Sequence, residues 1–261
     1  LLIIYLIISN QKDNWCLMSW IEGSRLTKPQ RKDWIKVLSF IKSLQALKDK
    51  AYKSQLSNAS EACFSLKGHH KLIKERIYSL IDTYMERNNI SPILNWLNEN
   101  ILQGIENLGD LKIRYSFESG DWELSSTVER IISPSDIGFH NIKARNDELF
   151  FFDFEYSGWD DPMKLTCDLL IQPENVAEGE IIFFILRNLE ISIHKTNSRI
   201  KYLPIYLDLY RAKWCAIIIS NLSRNGQLKN HINCERAIEI LDKYYIKSEG
   251  VINEVIKSGG I

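Results

Sequence analysis

The sequence predicts an α+β fold that is mainly helical. Three observations carry this expectation. Most of the chain spaces apolar residues three and four apart, the period of a helix with one buried face. Two regions break that period and read as short extended runs: the apolar front "LLIIYLIIS" and a stretch near residues 129–162. The composition, 45% hydrophobic and 25% charged over 261 residues, is that of a globular protein. A chain of this length can form one large domain or two small ones around a real core.

The front run is too short to span a bilayer. It also lacks the basic stretch and small-residue cleavage site of a secretory signal. It therefore reads as a buried strand rich in Ile. A polar turn, "NQKDN", and a second apolar run, "WCLMSWI", complete a hairpin pattern. A buried strand needs neighbours, so the sequence reads as truncated at its front. Next, Thr27 with Gln30 fits a capping box, with Pro29 tolerated in a first helical turn. Trp34, Val37, Leu38, Ile41 and Leu44 mark the inner face of the helix that follows. A second helix is expected from Ala59 to Met85. It carries the adjacent His69 and His70, which point about 100° apart and make poor joint metal ligands, so a structural role is expected. A third helix begins near Pro92, with Ile93, Trp96, Leu97 and Ile101 on one side. Residues 108–128 read as loop with one short strand. "ERIIS", "NIKA" and "LFFFDF" read as strands, the last two joined by the turn "RNDE", with Phe150 to Phe152 in the core. Asp161 before Pro162 looks like an N-cap with proline at the first helical position. Helices are expected over 175–194 and 202–224, the latter packing Trp214 and Cys215, and a last one over 231–246.

Lysine plus arginine equals aspartate plus glutamate, 33 each. A net charge of zero gives no footprint for nucleic acid or an anionic membrane. The five cysteines are scattered and form no C-x-x-C pair, which excludes a zinc motif and a disulfide framework. A reducing compartment, the cytoplasm, fits best.

Chemistry concentrates in "SPSDIGFHNI" and "DFEYSGWDDP". They place Asp136, Asn141 five residues on, and Asp153 twelve beyond that. One interpretation is two polar loops flanking a hairpin, with Asp136 as a turn cap. The other is a grip on metal-bound phosphates. Phosphoryl transfer needs a carboxylate to orient the acceptor hydroxyl and cations to spread phosphate charge. Magnesium takes one or two oxygen ligands from protein and the rest from water and phosphate. An Asp facing the acceptor, with an Asn and a second Asp for the metal, meets both needs. Protein kinases share this order. His140 beside Asn141 invites a catalytic role, but a loop-bracing or exposed position is the expectation.

These segments resemble the signature of the aminoglycoside phosphotransferase and choline kinase superfamily, H-G-D-x-x-x-x-N, a hairpin, then D-[WF]-E. The variant here is similar to a bacterial subgroup of phosphotransferases. The resemblance implies a protein-kinase-like C-lobe with a remnant β-hairpin of the N-lobe: residues 1–23 as strands and hinge, residues 24–261 as the helical lobe, with the functional loops at about 129–162. It implies Asp136 as catalytic base and Asn141 and Asp153 as Mg2+ ligands. Glu155 either supports the metal loop or forms an ordinary ion pair. Tyr156, Gly158 and Asp161–Pro162 sit where the family begins a helix. "NWCLMSWIEG" resembles the family's last N-lobe strand and hinge, where the backbone of Ser19 and Ile21 would meet adenine. The implied activity is transfer of phosphate from ATP to a hydroxyl of a small molecule. Nothing local suggests the strongly acidic cleft that a polycationic antibiotic would need. Three departures stand out. Pro134 replaces the loop His. Asp153-Phe154-Glu155 replaces D-F-G, as is usual in this superfamily. The glycine-rich loop, the strand lysine and its Glu partner have no counterpart. The alternative is a non-catalytic binding or scaffold protein on the same fold.

Overall fold

The computed structural model of the chain describes residues 6–10, 12–13, 15–85, 91–115, 130–192, 198–225, 228 and 231–258. It opens with an antiparallel hairpin, β1 (Leu6–Asn10) and β2 (Trp15–Met18). The expectation of a buried strand fails for these residues. Ile7 is 61% exposed and Leu17 is 53% exposed. Among the described residues β1 and β2 pair only with each other, so neither gains a covering layer.

An extended segment leads through β3 (Ser24–Arg25) to α1 (Arg31–Gln45). The cap sits at Gln30, not at Thr27: the Asp33 carboxylate accepts from the Gln30 N–H at 2.8 Å. The reason is Pro29, which keeps the residue before it out of the helical region and delays the start. α1 buries Trp34, Val37, Leu38 and Ile41, as its spacing predicts, and also Phe40, while Leu44 is half-buried. After α2 (Lys48–Lys53), α3 (Leu66–Met85) begins later than expected. The segment before it is spent elsewhere: Ala59 donates to the Trp159 carbonyl at 2.9 Å and Ser60 to that of Tyr156 at 3.0 Å. α4 (Ser91–Leu97) runs through a π-helical turn, Asn98–Leu102, into α5 (Gln103–Ile105). α6 (Leu108–Arg114) occupies part of the expected loop and buries Leu111. The strand expected there would fall in residues outside those described.

The polar loops hang on two small sheets. β4 (Ile131–Ser133) pairs antiparallel with β7 (Gly158–Asp160), and β5 (Ile142–Arg145) lies between β3 and β6 (Glu148–Phe151). Asn146 and Asp147 both take positive φ in the β5–β6 turn, the conformation that twists a tight hairpin correctly. Then α7 (Pro162–Ile171), α8 (Glu180–Ser192), a 3-10 turn (Ser198–Tyr202), α9 (Leu203–Arg224) and α10 (His231–Lys257) complete the helical bulk. α10 runs eleven residues past its expected end at 246. α7 is buried along its whole length, and α9 packs against α3, α7 and α10. Among the described residues Cys63, Cys167 and Cys215 are free thiols.

Candidate functional site

The first loop leaves β4 at Ser133, which is paired with Gly158 at the far end of the second loop. Ser135 takes φ 66°, a strained value for a residue with a side chain. It is held there on both sides. Its N–H donates to Ser133 Oγ at 3.0 Å, and its own Oγ accepts from Lys164 Nζ at 2.8 Å. Lys164 rises from α7, is fully buried, and is neutralised by Asp160 at 2.5 Å. The loop then turns through Phe139–Asn141. Phe139 packs edge-on against Trp34 of α1 at 5.0 Å, and its N–H donates to Asn175 Oδ1 at 3.1 Å. Gly138 is required by space: a Cβ there would lie 2.3 Å from the His140 ring and 2.4 Å from Gln172 Nε2.

Asn141 joins the two loops. It is 6% exposed, its Nδ2 donates to the Asp136 carbonyl at 3.3 Å, and its own carbonyl accepts from the Phe152 N–H at 3.2 Å. That last bond sets the residue before Asp153. Asp153 itself takes φ 65° and is exposed. Phe151, two residues earlier, stacks on Phe40 of α1 at 4.0 Å. One helix therefore anchors both loops through aromatic contacts, each burying a large apolar ring.

The electrostatics are unbalanced toward anion. Burial pushes Asp136 up, but the His140 hydrogen bond and charge, with the nearby Gly138 N–H and Asn141 amide, outweigh it and hold the carboxyl below its ordinary range. His140 Nε2 lies 3.0 Å from Asp136 Oδ2, and this bond raises the imidazole above its usual value against the opposing effect of burial. Asp136 Oδ1 is covered and has no hydrogen-bond partner. The carboxyl of Asp153 is raised by partial burial, then by the charges of Glu155 and Asp136. Interaction with Glu155 raises the Tyr156 hydroxyl above its ordinary value.

Among the described residues no group of three or more His, Cys, Asp or Glu side chains could hold a metal ion. The arrangement still suits magnesium that arrives on phosphates. The oxygens open to such an ion are those of the exposed Asp153 carboxylate and of the Asn141 side-chain amide. Two oxygen ligands from protein are the usual number for such a metal.

The hinge segment lies against β5. Ser19 is half-buried and Ile21 buried, and the Ile21 carbonyl accepts from Lys143 Nζ at 3.1 Å. Lys143 also sits 4.5 Å from the ring of Trp20, which is 82% exposed. Gly23 permits the approach. At φ 154° it puts its absent Cβ 2.9 Å from the Ala144 carbonyl. Sequence reasoning missed Lys143, which reads as an ordinary strand residue, and the parts played by Lys164 and Gln172. The paired histidines are structural, as expected: His69 bridges Asp161 and Tyr210 at 3.1 and 3.0 Å, and His70 meets the Ile105 carbonyl at 2.7 Å. Asp161 caps α7 by accepting from the Met163 N–H at 2.8 Å. A separate cavity of about 870 Å³ lies between α5, α6, α9 and α10, lined by Arg114, Tyr115, Asp208, Arg211 and Glu249 among others. None of the loop residues borders it.

No family model and no curated protein matches the sequence. Solved structures do match the fold. A choline kinase from Cryptosporidium parvum Iowa II is 17% identical, with a TM-score of 0.57, covering 100% of this chain and 76% of that one. The complex of gentamicin with APH(2'')-IIa is 16% identical, with a TM-score of 0.54, covering 92% and 73%. The aminoglycoside phosphotransferase APH(2'')-Ib, ADP-bound, is 16% identical, with a TM-score of 0.50, covering 96% and 77%. At such identity the likeness is one of fold: a mainly helical, kinase-like α+β architecture with a small hairpin at the front.

Proposed function

We propose that the chain is a small-molecule kinase that transfers the terminal phosphate of ATP to a hydroxyl. The observation that carries this reading is the junction at Asn141. That residue bonds to Asp136 on one side and to the strand end before Asp153 on the other, and the charge of Asp136 is among those that raise the Asp153 carboxyl. In this reading Asp136 accepts the acceptor hydroxyl through Oδ2, orients it, and takes its proton. A carboxyl held below the ordinary range is a weak base, which suffices where bond-breaking to the leaving phosphate runs ahead of attack. Asn141 and Asp153 hold Mg2+, which supplies neutralising charge to the phosphates. Glu155 keeps the local field negative and so favours a cation at Asp153. Ser19 and Ile21 border the nucleotide base. Residues 1–23 form the hinge side and 24–261 the helical lobe. The acceptor is a hydroxylated small molecule, and a cytoplasmic location belongs to the same reading. Among the described residues no helix is long and apolar enough to cross a membrane.

The test is kinetic, on a hydroxylated amine or sugar found by screening with MgATP. Asp136→Asn should retain the fold and nucleotide affinity while losing about 100- to 10,000-fold in kcat, the usual worth of a general base. Asp153→Asn should raise the magnesium concentration needed for half-maximal rate. Near wild-type turnover by Asp136→Asn would make Asp136 a turn residue and favour the non-catalytic alternative.

A further inference from the structure

The mechanism assigns a task to Asp136 without saying what aims it. Its accessible oxygen, Oδ2, is bonded to His140 Nε2 at 3.0 Å, while Oδ1 is covered and unpartnered. The other nitrogen of that imidazole, Nδ1, faces Gln172 Nε2 at 3.3 Å. Gln172 caps the end of α7 and is 2% exposed. Its amide cannot turn over freely, because Oε1 accepts from the Glu174 N–H at 2.7 Å. An amide nitrogen only donates, so in the neutral ring Nδ1 is the acceptor and the ring proton sits on Nε2, toward Asp136. The missing Cβ of Gly138 makes room for this contact, since a methyl there would overlap both the ring and the Gln172 amide.

We propose that Gln172 and His140 are positioning residues for Asp136: the pinned Gln172 amide fixes the His140 tautomer, and the His140 Nε2–H fixes the rotation of the Asp136 carboxyl. What Asp136 then does rests on the kinase reading. The fixing itself does not, because it follows from three hydrogen bonds in sequence. It also gives the loop a brace at residue 140, where Pro134 leaves none at the usual histidine position. Misdirection of a reacting group by about 1 Å can cost about 100-fold in rate, so a brace of this kind matters in turnover rather than in binding.

Two measurements on the full chain test it. The first is nitrogen NMR of 15N-histidine-labelled protein at pH 8, with the His140 signals assigned by their loss in His140→Gln. The proton should sit on Nε2 with Nδ1 bare. Gln172→Met should convert the ring to a mixture of tautomers, and Asp136→Asn should shift Nε2. A proton on Nδ1 in the wild type, or a spectrum unchanged by both variants, overturns the proposal. The second is hydrolysis of MgATP with water as acceptor. His140→Ala and Gln172→Met should lower kcat about tenfold or more with the KM for MgATP within about twofold, and His140→Gln, which keeps a donor, should recover part of the loss. His140→Ala at wild-type kcat alongside a damaged Asp136→Asn overturns the positioning role and leaves the kinase reading standing. If Asp136→Asn is also unaffected, the kinase reading fails and the tautomer result alone decides the brace.

Discussion

Glu61 shows how single charges behave under the loops. It lies between Lys213 at 3.0 Å and Arg76, at the N-terminal approach to α3. Burial raises its carboxyl, but the two cations overcome that and hold it down to about 2. A depressed value means stability that is present above the ordinary 4.5 and lost as pH falls through about 2. Glu61→Gln should therefore cost about 2–3 kcal/mol at pH 7, with the gap to wild type closing between pH 4.5 and 2, as read by urea unfolding across pH. A gap that stays constant would show that the pair contributes nothing. At this scale the sequence draws attention to Asp136, Asn141 and Asp153 because they stand on two neighbouring polar loops. It also showed His140, but not its partner Gln172, which the fold delivers from the far end of α7. Lys164 was hidden for another reason. A lysine in the first turn of a helix reads as solvent-facing, and here it is turned into the core, where it pairs with Asp160 and donates to Ser135.

Among the elements, the pairing of β4 with β7 depends on Gly158. A Cβ there would lie 2.5 Å from both the Ala59 nitrogen and the Ser57 carbonyl oxygen, backbone atoms that cannot swing aside. Gly158→Ala should cost about 1–3 kcal/mol by overpacking and lower the melting temperature by roughly 3–10 °C, measurable by calorimetry. An unchanged melting temperature would show that the 57–60 segment yields. α1 was legible from the spacing of its apolar stripe, and α9 from its dense apolar content. β7 was not, because Gly158-Trp159-Asp160 carries one apolar residue among turn formers and becomes a strand only through pairing with Ile131–Ser133. α6 escaped for a similar reason: at seven residues it is too short for a helical period to stand out. The late start of α3 follows from tertiary bonds to β7, which no local propensity encodes.

Over the whole molecule, the order of hairpin, helices, paired loops and helices was readable, and the solved neighbours share that architecture. Its packing was not. α1 anchors both loops through Trp34 and Phe40, and the buried helix α7 supplies Lys164 and Gln172 from beneath. The apolar front hairpin was expected in the core and instead leaves Ile7 and Leu17 exposed.

The bond between the ends of β4 and β7 has a dynamic consequence. With Ser133 joined to Gly158, residues 134–157 form a closed circuit, crossed by the β5–β6 ladder and, at the base of that ladder, by the bond from the Phe152 N–H to the Asn141 carbonyl. Such a circuit opens as one cooperative unit or not at all. The amide protons of Asn141 and Phe152 should therefore exchange with deuterium at a common rate, slower than those of the Asn146–Asp147 turn. Gly158→Ala, which strains the clasp, should speed both by the same factor. Unequal acceleration would mean that the two loops breathe independently, and that Asp136 and Asp153 do not keep time with each other.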